Sequence, residues 1–358
     1  MIEDIIHDRR KDPMTIPLRF ALGVFEQCFL AGTTVRNFLY DRHVLKAVNV
    51  PCRVVSVGNL TVGGTGKTPV VIMLAGMLAG KDVSVAVVSR GYGGTAKTTT
   101  VVSDGKGVLV PAAVAGDEPC IIADSLPGVP VVVGHDRYSA AQTVWEKFRP
   151  KIILLDDGFQ HRRLHRNVDI VTVDAANPFG SGRFLPRGIL RETPYSLKRA
   201  QAVIVTRYDE KYRKKAERMI RYYDRRIPIF WSRHVPVAIR ALNTGKRHDT
   251  GILDGRTVAT LSNIANPASF HTMIESLGAR IVFKRISPDH HVYSESEMET
   301  IVSEASRVGA DAIVMTAKDE RNLSGSYRVE SIEIYVLDIE AEIVEGEDKL
   351  IELIKPYR

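Results

Sequence analysis

The 358-residue chain has little that could staple it covalently. It carries only three cysteines, Cys28, Cys52 and Cys120, with no Cys-x-x-Cys spacing. That argues against a disulfide framework or a thiolate metal centre, and it fits a reducing compartment. Long apolar runs are also missing. The most apolar region, Pro13 to Ala47, is interrupted by Arg19, Glu26 and Arg36, so it lacks the ~20 uncharged residues that a membrane-spanning helix needs. Met1–Asp8 carries acids where an export signal needs a basic start, so no such signal is expected. There are no repeats and no low-complexity segments. Apolar residues make up 44% and charged residues 25%, values that exclude a polytopic membrane protein and wholesale disorder.

What is present is a basic, mostly alternating α/β pattern. Lys and Arg number 49 against 42 Asp and Glu, a net charge of +7, and this favours an anionic partner. Short β-branched runs recur at 53–57, 83–88, 129–133, 152–155, 170–173 and 202–205, separated by helical stretches at 69–79, 138–148 and 210–223. Such spacing predicts a parallel sheet covered by helices on both faces. A strand-rich connector over 225–240 leads through a polar turn region into a second, smaller α/β stretch. Three units are expected: a helical segment over 1–50, a nucleotide-binding domain over 51–235, and a smaller domain over 236–358. Basic residues punctuate Pro13–Ala47, which reads either as a helical pair lying in a membrane interface or as a helical hairpin packed on the next domain.

The strongest chemical signal is Val57-Gly58-Asn59-Leu60-Thr61-Val62-Gly63-Gly64-Thr65-Gly66-Lys67-Thr68. It follows a strand and precedes a helix, as a phosphate-binding loop must. Small residues let backbone N–H groups of Thr61, Val62, Gly63, Gly64, Thr65 and Gly66 turn toward phosphate, Lys67 reaches the β- and γ-phosphates, and Thr68 offers a hydroxyl to Mg²⁺. Thr61 stands where the usual pattern has its first glycine. A second apolar strand ends in Asp156-Asp157 and continues Gly158-Phe159-Gln160-His161; carboxylates at that position can hold the magnesium shell. Ser89-Arg90-Gly91-Tyr92-Gly93-Gly94 makes a flexible or closely approached loop. Gly116-Asp117-Glu118-Pro119 opens a helix, where two acids serve either the helix dipole or catalysis. From Arg183 to Arg226 there are 14 basic and 5 acidic residues, a local net of 14 − 5 = +9 that exceeds the whole chain's charge. A solvated face, nucleic acid and anionic lipid headgroups all fit it. Asp289-His290-His291 and Thr316-Ala317-Lys318-Asp319 are further polar clusters; the second follows a strand, as a polar turn would.

Together, in this order, these motifs resemble the tetraacyldisaccharide 4′-kinases, the lipid A kinases of Gram-negative bacteria. Leu185-Pro186 and Leu190-Arg191-Glu192 extend the match, which runs from about residue 15 to residue 340; the hydroxyl residue at Thr61 fits it too. The chain departs from the family pattern at Ser262–Pro267 and at Ser287. The resemblance implies a P-loop kinase fold and ATP with Mg²⁺ as cofactors. Its acceptor is the 4′-hydroxyl of a tetraacylated glucosamine disaccharide 1-phosphate, in lipid A and lipopolysaccharide biosynthesis. It implies Asp117 as catalytic base paired with His290, metal and nucleotide contacts from Lys67, Thr68, Glu118, Asp156 and Asp157, and support from Arg90, Tyr92, Gln160, His161 and Arg191. It also implies that the N-terminal segment sits on the cytoplasmic face of the inner membrane, with no nucleic acid and no obligate protein partner. A P-loop regulatory or metal-insertion NTPase, and an ATPase dependent on nucleic acid, are the rival readings.

Overall fold

The computed structural model describes residues 13–264, 266–288, 291–323 and 331–356. Asp289 and His290, and residues 1–12 of the N-terminal segment, lie outside them. The strands are β1 (Arg53–Asn59), β2 (Val85–Ser89), β3 (Thr100–Ser103), β4 (Val131–Val133), β5 (Ile152–Asp156), β6 (Val168–Asp174), β7 (Ala202–Thr206), β8 (Ile229–Ala241), β9 (Arg247–His248), β10 (Thr257–Ser262), β11 (Arg280–Ile286), β12 (Ala312–Thr316) and β13 (Glu333–Glu345). All thirteen join one continuous sheet in the order β11-β10-β12-β13-β8-β7-β6-β1-β5-β2-β4-β3, with β9 pairing beside β8. The helices are α1 (Ile16–Asp41), α2 (Lys67–Ala79), α3 (Ala112–Ala115), α4 (Asp117–Ser125), α5 (Arg137–Phe148), α6 (Glu210–Tyr223), α7 (Pro267–Ser276), α8 (Glu295–Arg307), α9 (Ala317–Arg321) and α10 (Glu347–Ile354).

The apolar runs become central strands because they are covered twice. Alternate residues of β1, β2 and β5 (Val55, Val57, Val85, Val87, Ile152, Leu154) pack under α2. Their neighbours (Val54, Ala86, Val88, Ile153, Leu155) pack under α5. A fully buried side chain of this size is stabilised by roughly 1.5–3 kcal/mol relative to exposure. The second half repeats the plan, with Ala259, Leu261, Ile313 and Met315 under α8 and Val258, Ala312 and Val314 beneath α7. The last helix, α10, returns to the first half: Leu350 and Ile354 enter its core, and Arg53 donates to the carbonyls of Leu353 and Ile354.

Two details refine the expected fold and one expectation needs correcting. The sheet is parallel through its centre, but β3 pairs antiparallel with β4, and β8 pairs antiparallel with both β13 and β9. The connector over 225–240 is largely one long strand, β8, and the 235/236 boundary falls inside it; a register shift beside Pro236 accommodates a residue that cannot donate to the ladder. Residues 13–47 form neither a helical pair nor a hairpin but a single 26-residue helix, α1. Gly32-Thr33-Thr34 does not break it; the Thr33 hydroxyl donates back to the Leu30 carbonyl at 3.0 Å.

α1 docks by its polar side. Glu26, 2% exposed, accepts from the Phe184 amide at 2.8 Å and lies 3.8 Å from Arg187. Glu192 accepts from Asn37 (2.7 Å), Ser196 (3.1 Å) and both terminal nitrogens of Arg199 (2.9 Å each), and Arg36 stands 3.7 Å away. Phe20, Val24, Val35 and Phe38 fall on the far side of the helix and are exposed, Phe20 by 74%. Glu192→Ala leaves the half-buried Arg199 without its carboxylate and Asn37 and Ser196 without their acceptor, which costs on the order of 1–3 kcal/mol. A marked fall in melting temperature is expected, with new proteolytic cleavage within α1; an unchanged melting curve and digest would show that Glu192 does not hold the helix.

Candidate active site

The C-terminal ends of the central parallel strands converge on the loop after β1, where an open α/β sheet carries its ligands. The loop is pinned from several directions. Asn59 Nδ2 donates to Thr65 Oγ1 at 3.0 Å, the Thr65 and Thr172 hydroxyls share a 2.9 Å bond, and Thr206 Oγ1 donates to the Thr65 carbonyl at 2.8 Å. The Val62 amide donates to Ile189 O and the Arg191 amide to Leu60 O, both at 2.7 Å, and Thr61 bridges Leu190. The segment 189–191 is thus laid along the loop's first half. Gly66 caps α2 at φ +75°, and Gly63 and Gly64 are exposed. α2 begins at Lys67 rather than at Pro69, so Lys67 and Thr68 occupy its first turn.

Lys67 Nζ lies 3.7 Å from Asp157 Oδ1. Arg191 donates to both oxygens of Asp157 at 2.9 Å and reaches Gln160 at 3.5 Å, while Gln160 donates to the Asn59 carbonyl at 2.9 Å. Burial acts upward on the Asp157 carboxyl, but Lys67 and Arg191 hold it below the usual range. Asp156 is in the opposite condition. It is 2% exposed, accepts from Ser89 Oγ at 2.9 Å, and burial together with the charges of Glu118 and Asp157 pushes it up to about 7. Its Oδ1 is buried with no hydrogen-bond partner. No three His, Cys, Asp or Glu side chains close a metal cage among the described residues. A nucleotide-borne Mg²⁺ asks only for one or two carboxylates beside phosphates and water, and the orphaned oxygen of Asp156, near Glu118, fits that need.

The Ser89–Gly94 loop and the start of α4 meet backbone to backbone. A Cβ on Gly94 would stand 2.4 Å from Val114 O, and one on Gly116 would stand 2.4 Å from Tyr92 O. Asp117 and Glu118 therefore leave a rigid junction, Asp117 as the first residue of α4. α4 also packs against α9 from the chain's second half, and Arg321 of α9 pairs with Asp124 of α4. Thr316-Ala317-Lys318-Asp319 is more than a polar turn: it forms a capping box that starts α9. Buried Asp319 accepts from the Asn263 amide at 2.8 Å, and Asn263 Nδ2 donates to the His291 carbonyl at 3.0 Å. Arg90 and Tyr92 are exposed. His161 sits apart from the loop, 3.8 Å from Asp136, pulled down to about 4 by burial and by Arg137.

Sequence reasoning missed Arg137. This buried guanidinium opens α5, donates to the carbonyls of Gly134 and His135, and is pulled down to about 10 by burial against the opposing pull of Asp156 and Asp157. It also missed Thr172, Asp174, Thr206 and Arg207, and it named Ser89 only as part of its glycine-rich loop. All of these lie at or just past a strand's C-terminal end, or open the next helix, and that position was the available signal.

The sequence pattern of the LpxK family, described as tetraacyldisaccharide-1-P 4′-kinase, matches residues 18–357. The chain is similar to a tetraacyldisaccharide 4′-kinase of Anaeromyxobacter sp. (strain K), 40% identical over 356 residues, covering 98% of this chain and 93% of the relative. It is 42% identical over 318 residues to one of Syntrophus aciditrophicus, covering 86% and 85%. Among solved structures it resembles the "apo" form of LpxK from Aquifex aeolicus in complex with ATP, with a TM-score of 0.72, 30% identity, and coverage of 94% and 98%.

The raised pKa of Asp156 has a testable sign. An ordinary aspartate ionises near 3.8 and this one near 7, so the penalty for a buried charge enters as pH rises above about 4 and is complete above about 7. Metal-free Asp156→Asn should melt roughly 2–4 °C above the parent at pH 8, converge with it near pH 4, and lose most of the stabilisation that Mg-ATP gives the parent. A parent that melts as high as the variant at pH 8 would refute the shift.

Proposed function

The chain belongs to the tetraacyldisaccharide-1-P 4′-kinase family, and on that premise we propose how its residues carry the reaction. The protein is a kinase: it moves the γ-phosphoryl group of ATP to the 4′-hydroxyl of a tetraacylated disaccharide 1-phosphate, a step of lipid A biosynthesis. The family match extends through both halves of the chain, which disfavours a regulatory or metal-insertion NTPase. The observation that carries the assignment of roles is the meeting of Lys67, Asp157 and Arg191 beside the buried, unpartnered oxygen of Asp156.

Phosphoryl transfer needs mainly positioning and neutralisation of charge. Of the loop amides expected to turn toward phosphate, those of Val62 and Thr65 are held by the carbonyls of Ile189 and Gly63; the Gly63, Gly64 and Gly66 amides cradle the phosphates, and Lys67 leaves Asp157 for the β- and γ-phosphates, while Arg191 keeps that carboxylate compensated. Asp156, Glu118 and the Thr68 hydroxyl would hold Mg²⁺, which when bound offsets charge on the phosphates. Asp117 takes the proton of the attacking 4′-hydroxyl. His290 is proposed as its partner, and it lies outside the described residues; the ties from Asp319 through Asn263 to His291 support the neighbouring loop. Arg90, Tyr92, Gln160 and His161 are proposed to serve the acceptor side or to support it. Residues 51–235 act as the nucleotide lobe, and residues 236–358, apart from α10, as a lobe that closes over it.

We also assign α1 to the membrane surface. No helix among the described residues is long and apolar enough to cross a bilayer. A helix docked by buried carboxylates with an apolar side outward suits the interface, here the cytoplasmic face of the inner membrane, where the acylated acceptor is held.

Two measurements test these roles. Transfer of labelled phosphate to the tetraacyl disaccharide in micelles should vanish in Lys67→Ala and fall about 10²–10⁴-fold in Asp117→Asn, the scale of a lost general base, with ADP affinity kept in the latter. Collapse of nucleotide binding in Asp117→Asn would instead make it a metal or structural residue. The double variant Phe20→Glu/Phe38→Glu alters exposed positions and should melt like the parent while no longer sedimenting with vesicles; undiminished sedimentation would remove α1 from the membrane role.

A further inference from the structure

The chain's most basic stretch, Arg183–Arg226, has little part in the kinase reading, and the structure sorts its charges. Arg187, Arg191 and Arg199 are taken by Glu26, Asp157 and Glu192. On α6, Arg213 reaches Glu345, Arg221 reaches Glu217, and Lys211 pairs with Asp209. Lys214, Lys215 and Arg218 are exposed and make no ion pair among the described residues. Ala216 and Ile220 hold α6 to the sheet, so the helical period puts Lys211, Lys214, Lys215, Arg218 and Tyr222 on the opposite side, with no acid among them. α6 lies on the same face of the sheet as the segment that docks α1, for Ala216 and Ile220 share one apolar cluster with Leu190 and Leu197. The turn Pro194–Arg199 is wedged between the two helices. On one side Ser196 and Arg199 share Glu192 with Asn37 of α1. On the other, Tyr195 meets Tyr223 of α6 edge to face at 5.0 Å. Tyr222 meets Tyr223 in the same way at 5.0 Å. Tyr195 and Tyr222 are themselves 52% and 74% exposed, and the exposed Lys198 lies over the Tyr195 ring.

One surface thus runs from the apolar outer side of α1, across two exposed tyrosines, to a stripe of unpaired cations. We propose that α6, with Tyr195 and Lys198, is a second contact with the bilayer, one that reads the charge of anionic phospholipid headgroups. This rests on the membrane role assigned to α1 and extends it to a lipid class. The outer side of α6 has no aliphatic residue to bury, so it stays at headgroup level, where each Lys or Arg gains from the negative surface potential. Tyrosine suits the boundary between headgroup and chain, having an apolar ring and a polar tip. A polynucleotide asks for cations along its whole track. Here the cations give way to tyrosines and then to apolar side chains, the order in which a bilayer itself changes with depth.

The test separates charge from apolar insertion. Sedimentation of the full chain is measured with vesicles of phosphatidylcholine alone and of phosphatidylcholine mixed with phosphatidylglycerol, at low and high salt. The parent is compared with the triple variant Lys214→Gln/Lys215→Gln/Arg218→Gln, whose changes are all at exposed positions, and melting curves establish that it is folded. The parent should prefer the mixed vesicles. The triple variant should lose roughly 5-fold in affinity for them per cation removed, about 10²-fold in all. It should keep its binding to neutral vesicles within about 2-fold and its rate of transfer in neutral micelles, since no cation of the stripe takes part in either. High salt should bring the parent down toward the variant. Binding of the variant to mixed vesicles as tight as the parent's overturns the proposal, and so does equal weakening on both kinds of vesicle. A single-stranded oligonucleotide that binds the parent more tightly than mixed vesicles do, at the same salt, overturns it as well and makes α6 a polynucleotide surface. A parent that ignores neutral vesicles but takes up charged ones, losing them in the triple variant, refutes the role of α1 and supports that of α6, so the two failures are distinguishable.

Discussion

Two adjacent carboxylates at the end of a buried strand are the constraint around which this protein is arranged. Asp156 and Asp157 follow four wholly buried apolar residues, and taking charges out of water is costly unless they are paired. The chain answers the two differently. Asp157 turns into the left-handed region at φ +53° and meets two cations, Lys67 from the phosphate-binding loop and Arg191 from the segment laid along it. Asp156 keeps only a serine, and its other oxygen is unmet. One carboxylate thus ties the loop to its neighbours, while the other stays poorly satisfied until something positive arrives. Arg137, buried on the same side, tempers both.

Much of this was legible in the primary structure, and for definite reasons. The strand–loop–helix run ending Gly66-Lys67-Thr68 carries its meaning locally, since glycines, lysine and hydroxyl act within a few residues of one another. The apolar strand ending in Asp156-Asp157 was equally readable, because burial on both faces leaves an unbroken apolar run. What escaped depends on partners distant in the chain. Glu192 reads as one more loop acid, yet it gathers Asn37, Ser196 and Arg199. β8 and β13 each span 13 residues; strand character was readable over 225–240, but the length of the two strands and their pairing with each other were not, because they join segments about 100 residues apart. Cross-strand pairs such as Arg233–Glu342 make them a ribbon. Asp319 shows the same limit: its buried carboxylate was hidden inside what reads as a polar turn.

The glycines around the site are places where two backbones touch. A Cβ on Gly58 would stand 2.5 Å from that of Phe159, so the phosphate-binding strand and the Asp-Asp turn approach closely because one side chain is missing. Gly94 and Gly116 do the same for the Ser89 loop and α4. Close packing of this kind fixes where Asp117 leaves the fold without any side chain of its own being required for the purpose, which separates the acid's chemistry from its placement.

The docking of α1 has a geometric consequence. A helix on an apolar surface can ordinarily roll about its axis, because hydrophobic contact has no direction. Here Glu26 and Asn37, about three turns apart on the inner side, are each tied to the body of the protein, and two such ties forbid rolling. The rotational phase of the helix is locked to the sheet. Any plane that accepts the outer side chains therefore sets the tilt of the whole sheet, and with it the direction in which the mouth of the phosphate-binding loop opens.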